Sequence, residues 1–179
     1  MRFSSLFVLS SIIASGLALP LINFVPVLDD VRHKVGELTA QIDAFPSRGG
    51  TFDEAIKIHG SGVLLRASLG QYTRDLYHYP MFNEADSRAN MKAAKKLEST
   101  SEASLHAIIA KKAAFKNVSG ERDVLAIIVQ DVEAAASATE AFNDMLIERT
   151  DPSYVPEAKA LRDRLARKFR STVTALKKK

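Results

Sequence analysis

The chain has 179 residues, 46% of them hydrophobic, with no Cys, no Trp and 25 Lys and Arg against 21 Asp and Glu. That is material for one domain with its own core. A net charge of +4 falls well short of a nucleic-acid binder's basic footprint, and without Cys there is no thiol nucleophile, thiolate metal site or disulfide framework.

The N-terminus reads as a secretory signal. Met1-Arg2 supplies a positive start, Leu6 to Leu17 is an apolar run, and Gly16-Leu17-Ala18 places small residues where a signal peptidase cuts. The run is shorter than the roughly 20 residues that span a bilayer. We therefore expect a cleaved signal peptide over residues 1–18, a single mature domain over 19–179, and a secreted or extracellular protein, either free or held in a cell wall. The C-terminal Lys177-Lys178-Lys179 carries no hydrophobic tail, so no lipid-linked anchor is expected. In an oxidising compartment a chain without Cys holds its fold by burial alone.

The mature chain reads as all-α, an antiparallel bundle of about five amphipathic helices. The first runs from about Pro26 to Phe45, with Leu28, Val31, Val35, Leu38, Ile42 and Phe45 repeating at steps of three and four. Asp29 and Asp30 are expected in its first turn, against the positive end of the helix dipole. Phe45-Pro46 stops it. Ser47-Arg48-Gly49-Gly50 turns the chain, and Thr51 with Glu54 forms a capping box that opens the second helix, Phe52 to Tyr77. That helix has a broad apolar surface: Phe52, Ile56, His59 and Val63 on one line, Ile58, Leu65, Leu69, Tyr72 and Leu76 on another. The width predicts a central position with more than one neighbour.

The third helix starts after Asn83 and reaches about Phe115. Its seam of Ala85, Ala89, Ala93, Ala94 and Leu97 is thin, and Ser99-Thr100-Ser101 interrupts it, which predicts a bend or a slack interface there. Asn117-Val118-Ser119 fits the N-glycosylation acceptor pattern, with a plain turn as the alternative. The fourth helix, about Glu121 to Arg149, carries Leu125, Ile128, Val132, Ala135, Thr139, Phe142 and Leu146, with small residues from Ala134 to Ala138. The fifth runs from near Pro156 to Leu176 on a seam of Ala158, Leu161, Leu165, Phe169, Val173 and Leu176. Turns every roughly twenty to thirty residues argue for a compact bundle over an extended coiled coil.

Little in the chain points to catalysis. The four histidines, His33, His59, His78 and His106, show no metal-ligand spacing. No serine sits in a nucleophile elbow, and no Gly-rich phosphate loop follows a strand. We expect a non-enzyme without metal or cofactor. His59 lies on an apolar line and reads either as a satisfied core histidine or as a polar anchor for a ligand head group. Lys159, Arg162, Arg164, Arg167, Lys168 and Arg170 form a basic face on the fifth helix, suited to anionic lipid or polysaccharide or simply to solvent.

The AFPSRGG turn at Ala44 to Gly50, AIKIHGSG at Ala55 to Gly62, KKAAF at Lys111 to Phe115 and FNDMLI at Phe142 to Ile147 resemble the fungal hydrophobic surface-binding protein A family, which includes the cell-wall galactomannoproteins. The resemblance covers nearly all of the mature chain and implies a secreted helical bundle that adsorbs to hydrophobic surfaces or encloses fatty acids. On that expectation the small-residue middles of the third and fourth helices leave a channel lined by Leu65, Leu69, Tyr72, Ile108, Val132 and Phe142, with His59, Tyr72 or Thr139 near a ligand carboxylate. Expected partners are hydrophobic surfaces, fatty acids or other lipids, with cell-wall polysaccharide or a secreted hydrolase alongside. A wall structural or interaction glycoprotein, glycosylated at Asn117 and with a filled core, is the alternative.

Overall fold

The computed structural model describes residues 24–118 and 123–178. The expected signal segment lies outside the described residues, as does Ser119 of the acceptor pattern. Six helices follow one another: α1 (Val25–Ala44), α2 (Phe52–Tyr77), α3 (Glu84–Ala110), the short α4 (Lys112–Lys116), α5 (Val124–Arg149) and α6 (Val155–Lys177). The described residues contain no strand.

The helix starts follow from local chemistry. Thr51 Oγ1 accepts from the Glu54 amide at 3.2 Å while Glu54 Oε2 accepts from the Thr51 amide at 2.7 Å, so two orphan donors are satisfied at once. Those bonds hold the Glu54 carboxyl below its ordinary range. Asn83 caps α3 through the Asp86 amide, and Asp123 caps α5 through the Ala126 amide. Pro26 and Pro156 occupy the first turns of α1 and α6, where their missing N–H is not needed. Asp29 and Asp30 lie beyond the first turn of α1, contrary to expectation. They act through side chains instead: Asp29 pairs with Arg32, and Asp30 accepts from Lys34 and Tyr72.

Each of the five long helices packs chiefly on two others, and the pairs close a ring: α2 on α1, α1 on α3, α3 on α6, α6 on α5, and α5 on α2. Successive long helices reverse direction. In space, however, α1, α3 and α6 run one way and stand side by side, while α2 and α5 run the other way, also as neighbours. This arrangement is read from the two buried clusters at opposite ends of the ring. In one cluster sit the first halves of α1, α3 and α6 with the last halves of α2 and α5: Leu28, Leu69, Met91, Phe142 and Leu161. The other holds Ile42, Ile58, Ile108, Val132 and Phe169.

Helix α2 is therefore a member of the ring and not its centre. It has the two neighbours expected, α1 and α5, but part of its apolar surface stays outside: Ile56 and Val63 are exposed, and Leu64 beside them is 69% exposed. In α3 only the later part of the alanine seam faces inward: Ala93 and Ala94 are buried and Leu97 packs on the core, but Ala85 and Ala89 are exposed, and Ser87, Asn90 and Met91 take the buried face there. The reason is specific. Ser87, wholly buried, accepts a hydrogen bond at 2.9 Å from the Asp151 amide and so holds the α5–α6 turn against α3. The serines from Ser99 to Ser101 do not break the helix: α3 is continuous from Glu84 to Ala110, and the break falls at Lys111, ahead of α4.

Both ends of the ring are sealed. At one end, Phe24 packs on Tyr79, Phe82 and Phe142 with ring centroids 5.7–6.1 Å apart. Arg149 adds hydrogen bonds to the carbonyls of Leu76 and Tyr77, while its own carbonyl accepts from the Phe82 amide at 2.7 Å. At the other end, Phe45 and Phe115 are 4.8 Å apart. Gly49, at φ +106°, lies so close to α4 that a Cβ there would sit 2.8 Å from the Asn117 carbonyl oxygen, which only glycine permits.

Candidate functional site

Between the two buried clusters the ring has a waist, where the inward positions change character. Gly62 of α2, Ser101 and Ser104 of α3, and Ala135 and Thr139 of α5 take the places that large apolar side chains hold above and below. Five helices kept apart by bulky residues at both ends cannot collapse onto small ones in the middle. The result is an internal cavity of about 100 Å³. Its wall continues into both apolar ends; along α1 it runs from Leu28 to Ile42, roughly 21 Å at about 1.5 Å per residue. For scale, an engineered apolar cavity of roughly 150 Å³ stays dry and admits benzene.

Of the residues expected to line a channel, Leu65, Leu69, Ile108, Val132 and Phe142 lie in this wall, as does Thr139. Tyr72 does not. It is held at the α1–α2 surface, its hydroxyl donating to Asp30 and accepting from Lys34, and the bond to Asp30 raises its pKa. Direct bonds to Asp30, from Lys34 first and then Tyr72, lower the pKa of Asp30. His59 is also outside the wall. Its Nδ1 lies 2.8 Å from Asp131 Oδ2, and Asp131 is the residue that reaches the cavity.

The wall contains features the sequence did not single out. Leu28, Val31, Val35, Leu38 and Ile42 of α1 and Leu161, Leu165 and Phe169 of α6 also line the cavity. Two carboxylates, Glu98 and Asp131, border the cavity with side chains only 12% and 15% exposed. Each is neutralised from the outside. Arg164 donates to both oxygens of Glu98, at 2.8 and 2.9 Å, which raises the arginine's own pKa. Arg66 donates to Asp131 Oδ1 at 2.8 Å. No Lys, Arg or His lines the cavity.

Outside the cavity, the expected basic face of α6 is largely paired internally. Arg162 binds Asp144 and Asp163, Lys168 lies 3.6 Å from Glu102, and Lys177 reaches Glu133. Asn117 is exposed at the end of α4. Among the described residues no group of His, Asp and Glu is placed to hold a metal ion, and no helix is long and apolar enough to cross a membrane.

The architecture is a ring of helices around an apolar hollow, and comparison gives its family. The family model for HsbA, hydrophobic surface binding protein A, matches residues 23–148. The chain belongs to that family. Its fold is similar to that of ligand binding domain 1 of the Penicillium marneffei MP1 protein, complexed with arachidonic acids, at a TM-score of 0.79 and 15% identity over 88% of this chain and 99% of that one. AFMP4P in complex with palmitic acid is similar at a TM-score of 0.78 and 20% identity, over 86% and 97%. Ligand binding domain 2 of the Penicillium marneffei MP1 protein, complexed with multiple arachidonic acids, is similar at 0.78 and 13% identity, over 88% and 96%. A search of curated protein sequences returned no significant match.

Proposed function

We propose that this protein is a secreted, non-catalytic lipid binder that takes an acyl chain into the waist of its ring. The observation that carries the reading is unfilled space between two apolar ends, reaching from Phe142 to Phe169 and interrupted by polar side chains only at the waist. Burial of hydrocarbon there supplies the affinity, at about 0.8 kcal/mol per methylene. The helices are joined by short turns and no disulfide, so a chain larger than the resting hollow is accommodated by small outward shifts of helices, not by unfolding. Proteins of this fold hold arachidonic and palmitic acids, which supports the same use here. Leu65, Leu69, Ile108, Val132 and Phe142 act as the chain-contacting wall, Thr139 offers a hydroxyl at mid-height, and His59 acts only through Asp131. The exposed Ile56, Val63 and Leu64 on the outside of α2 favour a second contact, adsorption of the loaded or empty protein to an apolar surface.

The test is native mass spectrometry of delipidated protein incubated with palmitate. One retained acyl chain per protein is expected, lost when Ala135 is replaced by Leu. Absence of any retained chain on the unaltered protein overturns the interior reading.

A further inference from the structure

The cavity is apolar at both ends and polar only at its waist, and the waist's polar groups are unused. Ser104 is 6% exposed and lines the cavity, yet its hydroxyl makes no hydrogen bond among the described residues. Ser101, Thr139 and Asn143, also in the wall, have no side-chain partner either. Hydroxyls elsewhere on these helices behave differently. Thr39, Thr73, Thr100, Thr172 and Thr174 each donate to the carbonyl one turn back, the usual fate of a helical Ser or Thr. Ser104 is buried and Ser101, Thr139 and Asn143 are half-buried, so these groups, from α3 and α5, face the hollow with hydrogen-bonding capacity that no protein group uses.

The charged groups at the wall point the same way. They are two carboxylates, Glu98 of α3 and Asp131 of α5, and their oxygens are already occupied by Arg164 of α6 and by Arg66 and His59 of α2. A ligand carboxylate at the waist would find no free cation in the wall and two anions beside it. An uncharged oxygen would find donors and no repulsion.

We infer that the cavity is built for a long-chain lipid whose uncharged oxygen lies within the hydrocarbon, as a mid-chain hydroxyl or an ester, so that Ser104 and Thr139 hydrogen-bond that oxygen while the two hydrocarbon arms fill the apolar ends. This rests on the interior-binding reading and specifies its ligand.

The experiment compares ligands of matched length on the delipidated protein near pH 8, where a fatty acid is ionised. They are octyl octanoate, the mid-chain secondary alcohol of hexadecane, palmitate and hexadecane itself, each measured by displacement of a fluorescent fatty-acid probe. The ester, the alcohol or both should bind at least about tenfold more tightly than hexadecane and palmitate. Which of the two does so separates an acceptor from a donor ligand. Ser104→Ala and Thr139→Val should each weaken that ligand about fivefold, the ratio set by one hydrogen bond of ordinary net strength. Hexadecane affinity should stay unchanged in both variants, which also shows that they are folded. If palmitate or hexadecane binds as tightly as the ester and the alcohol, or if neither variant affects them, the inference is overturned while interior binding stands. If none of the four binds, interior binding and the inference fall together.

Discussion

The ends of the ring and its waist are made by the same five helices, yet they are packed on opposite principles. At the ends, aromatic side chains from loops and helix termini interlock: Phe24 with Phe82 and Phe142, Phe45 with Phe115. At the waist the same helices present Gly62, Ser101, Ser104, Ala135 and Thr139. The difference teaches that stability and capacity are separated along the helix axis. The ends fix the spacing of the helices, and the waist inherits a volume that it does not fill.

Substitutions can break that contrast. The largest effect is expected at an end: Phe115→Ala should cost about 3–5 kcal/mol, since the ring is fully buried against Phe45, read from urea unfolding. At the waist, Ala135→Leu should change stability by less than about 1 kcal/mol, because the added side chain enters empty space instead of a filled core, while removing lipid retention. A cost of several kcal/mol there would show that the waist is packed as tightly as the ends.

Gly49→Ala should cost about 1–3 kcal/mol from strain at positive φ and its collision with Asn117. Among hydroxyls, Thr150→Val should cost about 1 kcal/mol, because buried Thr150 donates to the Leu146 carbonyl. Thr139→Val, which gives up no such bond, should cost less than about 0.5 kcal/mol.

A further small effect lies on the surface of α1. The hydrogen bonds from Lys34 and Tyr72 lower the pKa of Asp30. The stabilisation is therefore present above the ordinary carboxylate pKa and is lost as pH falls through the lowered folded value. Asp30→Asn should cost less than about 1 kcal/mol at neutral pH, since the pair is partly exposed, and should flatten the acid limb of a stability–pH curve.

Much of this architecture is legible in the sequence, and the reason it is not all legible is physical. Periodicity and capping place α2 at Phe52–Tyr77, as Thr51, Glu54 and the Leu65–Leu69–Leu76 line require. Periodicity tells which face of a helix is apolar but not which helix covers it. Hence the breadth of the apolar surface of α2 correctly signals two neighbours, α1 and α5, but not that the helix lies in the ring and leaves Ile56 and Val63 outside. On α3 the alanines are uninformative because alanine is tolerated on either face, and the inward face is set by polar Ser87, whose role depends on the Asp151 amide from a distant turn. The serine interruption at Ser99 to Ser101 does mark the site, as a slack wall and not as a bend. Glu98 and Asp131 carry no sequence signal for their position, since their burial depends on arginines from other helices.

The central claim is that the acyl chain lies inside the waist and not against the outer face of α2. It is tested most directly by backbone NMR of the protein loaded with a fatty acid that carries a nitroxide at mid-chain. The account predicts that paramagnetic broadening centres on the amides of Gly62, Ser101, Ala135 and Thr139 and reaches all five long helices. Broadening confined to Ile56, Val63, Leu64 and their exposed neighbours would contradict it.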